Sequence, residues 1–370
     1  MNQRELGELR RRFRPEKSAI SRVYGCYVNS SREIIAYIDQ SLGLMPQEEA
    51  EKYLGLLKKA LSGTLGRNLI DIVFSTQQVA DSEEHRLLSA LRTSELKDAE
   101  ARDAFYQQVT GSLDMGENNY LILLGADAYD VPHRGKDGEV DRDACEEVFR
   151  YFVCCVCPVK DGTPELGYFH GENEFHISME KQIVGQPELG FLFPAFNDRS
   201  TDLHSTLYYS KDSDDLHDAF IEQMLGCPLP LPAGYQKESF QTIIEETLGD
   251  ACDYETVKTI HENLSELIEE HKDEPEPLVL DKYQVRNLLE HSGIEEEQLA
   301  TFDQNFDETA GEKASIYASN IANTRTFEVK TPDVIIKVNP DRTDLIETRK
   351  IDGRQCLVIA IDGGVEVNGI

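Results

Sequence analysis

Val148-Phe149-Arg150-Tyr151-Phe152-Val153-Cys154-Cys155-Val156-Cys157-Pro158 is dominated by β-branched, aromatic and small apolar residues and carries a single charge. Such a run reads as a strand buried on both faces. Strand alternation places Cys155 and Cys157 on one face and Cys154 on the other. Three thiols in four positions also suggest zinc or redox chemistry. Zinc, however, needs about four ligands, normally presented as two knuckles on turns, and no second knuckle exists in the chain. The expectation is therefore core thiols. Eight cysteines in 370 residues are too sparse for a disulfide framework.

Working outward toward the N-terminus, Tyr120-Leu121-Ile122-Leu123-Leu124 is a second strand, apolar on both faces and hence central in its sheet. Arg134-Gly135-Lys136-Asp137-Gly138-Glu139 has the composition of a hairpin tip. Helices are expected near 82–92 and 95–112, each opened by a Ser or Thr cap. Asn68-Leu69-Ile70-Asp71-Ile72-Val73-Phe74 is a strand. Before it lies a helix begun at Pro46, with Ala50, Tyr53, Leu54, Leu57 and Leu61 on one stripe and Gly63 as its C-terminal cap. Ser62-Gly63-Thr64-Leu65-Gly66-Arg67 is glycine-punctuated like a phosphate loop. It leaves a helix C-terminus, though, where the dipole repels anions. Residues 24–28 and 33–38 form a hairpin, and Leu6, Leu9 and Phe13 give the first residues an amphipathic helix that Pro15 ends.

Toward the C-terminus, strands are expected around 166–169, 189–193 and 205–209. Pro187 and Pro194 bracket the second, which suggests an edge or a bulge. Beyond Tyr209 the texture becomes helical, near 214–225, 236–248, 254–272, 281–292 and 294–308. Val257, Ile260, Leu264, Leu267 and Ile268 mark the apolar face of the third. Strand signals return at 327–330, 334–338 and 350–361, with Asp352-Gly353 as a hairpin turn. The expectation is an α+β protein: an N-terminal mixed or antiparallel sheet with flanking helices over 1–211, an acidic helical segment over 212–313, and a small β element over 314–370. That last element either stands apart or completes the first sheet.

Charge narrows the function classes. The chain carries a formal −32, yet residues 1–22 are net +4 and residues 212–312 are net −22. Phosphate backbones are bound by cations that displace counterions, so direct nucleic-acid binding is not expected. No apolar run approaches the roughly 18 residues of a membrane span, and Met1-Asn2-Gln3-Arg4 does not open a signal peptide. A cytoplasmic protein with no membrane association is expected. The acidic helices either form a solvated surface or meet a basic protein partner. The basic N-terminal segment also allows self-association with the acidic segment of another copy.

Two stretches carry residues capable of chemistry. His170, Glu172, Glu174 and His176 share parity in an extended chain and would project from one face, as candidates for metal-assisted hydrolysis or acid–base work. His170 and His176 are the candidate metal ligands, and His170, Glu172 and His176 the candidate catalytic set. Gly171 and Asn173 argue instead for a turn in a solvated loop. In the second stretch, Asp198 and Arg199 follow an apolar strand and could orient a substrate carboxylate or phosphate, although the same residues are ordinary turn chemistry. No nucleophile elbow, zincin pair or EF-hand loop is present, and no cofactor is predicted.

Several stretches together resemble a bacterial family catalogued as a domain of unknown function. They are Gly25-Cys26-Tyr27-Val28-Asn29, Gln40-Ser41-Leu42-Gly43-Leu44-Met45, Leu61-Ser62-Gly63-Thr64-Leu65-Gly66, Phe74-Ser75-Thr76-Gln77-Gln78, Pro187-Glu188-Leu189-Gly190-Phe191-Leu192-Phe193-Pro194 and Thr331-Pro332-Asp333-Val334-Ile335-Ile336-Lys337-Val338-Asn339-Pro340. The resemblance runs nearly end to end and implies one family unit. It implies no activity, cofactor or catalytic residue. The functional expectation is an interaction or regulatory protein that uses an acidic helical face, with a metal-assisted hydrolase around residues 170–176 as the alternative.

Overall fold

The central strand quoted above forms as its composition requires, and the first unit is assembled on it. The structure is a computed structural model. It describes residues 1–134, 140–162, 165–177, 182–312, 314–322, 326–331, 333–361 and 363–364. The expected hairpin tip at 135–139 lies outside the described residues. The chain divides into two compact units, Met1–Pro232 and Ala233–Ile370.

In the first unit the strands are β1 (Arg22–Val28), β2 (Ile34–Ser41), β3 (Leu69–Val73), β4 (Asn119–Arg134), β5 (Val140–Asp161), β6 (Leu166–Phe169), β7 (Glu174–Ile177), β8 (Gln182–Val184), β9 (Leu189–Phe193), β10 (Ala195–Asn197), β11 (Ser200–Asp202) and β12 (Ser205–Ser210). The helices are α1 (Gln3–Arg10), α2 (Gln47–Lys59), α3 (Thr76–Asp81), α4 (Glu83–Thr93), α5 (Ala99–Ser112) and a single turn, α6 (Asp218–Phe220). The main sheet runs β2-β1-β4-β5-β9-β12-β3, with β8 paired to the far end of β5. Its pairs are antiparallel.

Alternation along β5 divides the core in two. Phe152, Cys154 and Val156 enter one cluster with residues of α4 and α5. Tyr151, Val153, Cys155 and Cys157 enter the other with residues of α1 and α2. Helices thus cover both faces of the sheet, and this explains why β4 and β5 read as continuous apolar runs. Leu216, Phe220, Ile221, Met224 and Leu225 are buried in the first of these clusters, so the stretch after Tyr209 packs with the sheet unit. Over 214–225 the expected long helix is replaced by α6 and a π-type turn, Ile221–Leu225, which Gly226 ends in the left-handed region (φ 65°).

One expectation is corrected. Leu189–Phe193 is not an edge strand, because β9 lies between β5 and β12 and every residue in it is buried. Pro187 and Pro194 flank it without entering it, so neither removes a ladder donor from the strand.

The second unit contains α7 (Ala233–Leu248), α8 (Tyr254–Glu270), α9 (Lys282–His291), α10 (Phe302–Thr309) and the short α11 (Ala318–Ile321), with strands β13 (Val279–Leu280) and β14 (Ile316–Tyr317). Phe240, Ile243, Ile260, Leu264, Leu288, Phe302 and Phe306 are among its buried core residues. Asp253 and Asp281 cap α8 and α9 through hydrogen bonds to the amides of Thr256 and Gln284. Two hairpins follow, β15 (Phe327–Lys330) with β16 (Ile335–Val338) and β17 (Ile346–Ile351) with β18 (Arg354–Ile359), each a separate two-stranded sheet. Among the described residues no helix is long and apolar enough to cross a membrane. The architecture is α+β.

Gly190 shows how tightly the centre of the sheet is packed. A Cβ there would lie 2.6 Å from the Cys154 carbonyl oxygen and 2.7 Å from the Ala60 Cβ, neither of which is the end of a flexible side chain. Gly190→Ala is expected to cost about 2 kcal/mol through overpacking, read as a lower urea midpoint at unchanged slope. An unchanged midpoint would contradict this packing.

Candidate functional site

Residues 166–177 form the β6–β7 hairpin, in which Phe169 accepts hydrogen bonds from the amides of Glu172 and Asn173 and Asn173 takes a positive φ of 59°. The turn ends the alternation at His170, so the four polar residues do not share one face. His176 stacks on Phe169 with ring centroids 3.8 Å apart and pairs with Glu172 at 3.0 Å. His170 meets the edge of Tyr168 at 4.9 Å. Tyr168 and Phe169 are strand neighbours with opposite directions, which separates the two imidazoles. The structure therefore brings Glu172 and His176 together and leaves His170 apart from them. Among the described residues, no three His, Cys, Asp or Glu side chains are grouped to hold one metal ion.

Asp198 and Arg199 form the two-residue turn between β10 and β11, with φ of 51° and 56°. Two consecutive positive φ values are the twist-matched geometry of a tight hairpin. Asp198 lies exposed at the tip, whereas Arg199 turns inward. Its guanidinium donates to Glu8 through Nε at 3.3 Å and Nη2 at 3.0 Å, and to the Pro132 carbonyl at 3.1 Å. Its amide donates to Glu5 at 3.1 Å. Glu8 also accepts from the Tyr129 hydroxyl, and burial, with that bond second, pushes the Tyr129 phenol up to about 12. Burial raises the Glu5 carboxyl as well.

Two cations of the basic N-terminal segment are also engaged within the first unit. Arg12 forms a two-point pair with Asp127 at 3.0 and 3.1 Å, and Tyr151 donates to Asp127 at 2.9 Å. Arg10 donates to the carbonyls of Leu61 and Gly63 just beyond α2, where the dipole favours a cation. Arg199 is thus a clamp on α1, and Leu6 and Leu9 are fully buried beneath it.

The strand cysteines are core residues. Cys155 and Cys157 have their sulfurs 3.9 Å apart, and burial pushes the Cys154 and Cys155 thiols well above the usual range. A thiol held protonated in this way is a poor nucleophile and metal ligand.

The second unit contains a groove of about 1350 Å³ that the sequence reading did not locate. Its lining includes Lys237, Glu238 and Gln241 of α7, and His261, Glu262, Ser265, Glu266, Glu269 and Glu270 of α8. Those α8 positions recur at helical spacing and form one stripe. Thr326, Phe327, Glu328 and Lys330, with Lys337 of β16, supply a further wall. The Phe327 ring lies 6.5 Å from His261 in an edge arrangement. Glu262 accepts from Thr343 and lies 3.9 Å from Lys258, and Glu269 pairs with Lys272. Glu238, Glu266 and Glu270 carry no ion pair among the described residues. Burial first, and Lys237 second, lower the His261 pKa below its usual value. The signal in the sequence was the i, i+4, i+8 recurrence of Glu262, Glu266 and Glu270. A solvated face has the same pattern, and nothing local says that a hairpin 60 residues later will wall it in.

The chain thus combines a helix-covered antiparallel sheet with a helical unit that holds a carboxylate-rich groove. Among the described residues, the β6–β7 hairpin brings Glu172 and His176 together, and the β10–β11 turn commits Arg199 to Glu8. The chain belongs to the family described as a domain of unknown function (DUF4317), whose model matches residues 1–370. A search of curated proteins finds no match to it. The family description carries no activity, so the functional reading rests on the geometry.

Arg199→Met is expected to destabilise the first unit by about 2 kcal/mol, because it strands the Glu8 carboxylate in a poorly solvated site. Thermal unfolding measures this, and an unchanged melting temperature would contradict the clamp. For His261, a folded pKa below the unfolded value of about 6.5 means that the unfolded chain binds the proton more readily. Its contribution to stability is therefore complete above the unfolded pKa and is lost as pH falls from there through the folded pKa. A proton NMR titration is expected to show His261 titrating below 6.5, and His261→Gln to flatten the acid limb of stability. A midpoint above 6.5 would contradict the burial.

Proposed function

We propose that this is an interaction protein whose second unit takes up a basic segment of a protein partner. The observation that carries the reading is the stripe of Glu262, Glu266, Glu269 and Glu270 on α8, facing a groove that Glu238 also lines. At about 1350 Å³ the groove exceeds the roughly 300–1,000 Å³ usual for small-molecule pockets. That volume suits several residues of a polypeptide. Glu238, Glu266 and Glu270, which carry no ion pair among the described residues, attract Lys and Arg, and the field of a chain at −32 steers such partners toward the groove while repelling nucleic acid. The basic N-terminal segment is a weaker occupant, since Arg10 and Arg12 are already engaged within the first unit.

The test is titration of the full chain with a fluorescent peptide of alternating lysine and threonine, read by anisotropy. Binding is expected to weaken at least tenfold on raising salt from 50 to 500 mM, as about a threefold shorter screening length implies. It is also expected to fall at least tenfold in the double variant Glu266→Lys, Glu270→Lys. Equal binding by the variant would overturn the reading.

A further inference from the structure

The groove is not uniformly acidic. The α8 wall supplies Glu262, Glu266, Glu269 and Glu270, while the β15–β16 wall supplies Lys330 and Lys337, with Glu328 between them. Glu328 pairs with Lys337 at 3.1 Å, and Lys330 carries no ion pair among the described residues. Lys237 adds a further ammonium from α7. A purely cationic occupant would meet favourable charge along α8 and unfavourable charge along the hairpin.

Spacing specifies the complement. Glu262, Glu266 and Glu270 follow one another at four-residue intervals, about 6 Å apart along the helix axis. In an extended chain, every second side chain points to the same side, about 6.8 Å apart. The two repeats nearly match over three positions. An extended segment of alternating charge places all its cations on one side and all its anions on the other. Lying along the groove, it sets Lys or Arg against α8 and Asp or Glu against Lys330, with Lys337, already paired to Glu328, beside it.

We propose that the groove selects an extended partner segment in which basic and acidic residues alternate. This rests on the acidic-groove reading above and adds to it the second wall. A helical occupant does not meet the requirement as simply, because alternating charges spiral around a helix instead of separating onto two sides.

The test compares three peptides on the full chain by anisotropy at 50 mM salt: alternating lysine–glutamate, a block peptide of the same composition, and the lysine–threonine peptide. The alternating peptide is expected to bind at least tenfold more tightly than the block peptide. In the double variant Lys330→Glu, Lys337→Glu, that preference is expected to disappear, while the lysine–threonine peptide binds more tightly than to the parent chain. Circular dichroism of the variant, expected to match the parent chain, separates this gain from non-specific binding by a misfolded polyanion. Equal affinity for the alternating and block peptides, or a preference that survives the double variant, overturns the proposal. If the lysine–threonine peptide binds and responds to Glu266→Lys, Glu270→Lys alone, the acidic groove stands and only the alternating occupant falls. If neither it nor the alternating peptide binds, both readings fall together.

Discussion

Burial of β5 on both faces is the constraint on which the first unit depends. Every residue from Tyr151 to Cys157 is buried, and hydrogen bonding to β4 and β9 satisfies the strand's backbone on both sides. Side chains of one parity support α4 and α5, and those of the other support α1 and α2. Tyr151 places its hydroxyl on Asp127, but a polar residue at any position from 152 to 157 would enter one of two apolar cores. The three cysteines fit here as small apolar side chains, and the raised pKa values of Cys154 and Cys155 follow from that role.

Polar groups enter this apolar frame mainly where α1 is fastened. Arg12 with Asp127 and Tyr151, and Arg199 with Glu8 and Tyr129, are partly or fully withdrawn from water, and each member has a hydrogen-bonding partner. Such pairs matter to stability chiefly because losing one member strands the other. The many exposed pairs of the second unit, such as Arg286 with Glu290 and Asp303, are each worth less than about 1 kcal/mol. Charge is structural where α1 is fastened, whereas in the second-unit groove Glu238, Glu266 and Glu270 carry no ion pair among the described residues.

How far the sequence revealed this depends on the range over which each feature is decided. The opposite directions of Cys154 and Cys155 follow from strand period alone, and the structure places them so. The parity argument for His170, Glu172, Glu174 and His176 fails because a turn interrupts the period, as Gly171 and Asn173 hinted. Arg199 carried no local sign that its partner would be Glu8, 191 residues away. Pro187 and Pro194 misled because flanking a strand and entering it look alike in one dimension. The second-unit groove was hidden for a similar reason: the helical stripe of glutamates was visible, but the hairpin that turns it into a concave surface is a tertiary fact. Family membership identifies the whole chain and leaves function to be argued from the site.

The central claim is that recognition takes place in the second-unit groove. Hydrogen–deuterium exchange on the full chain, with and without saturating lysine–threonine peptide, tests it most directly. The account predicts slowed exchange confined to residues 234–241, 261–270, 326–331 and 333–338. Protection that appears instead on α1 or the β6–β7 hairpin, with the groove unchanged, would contradict it.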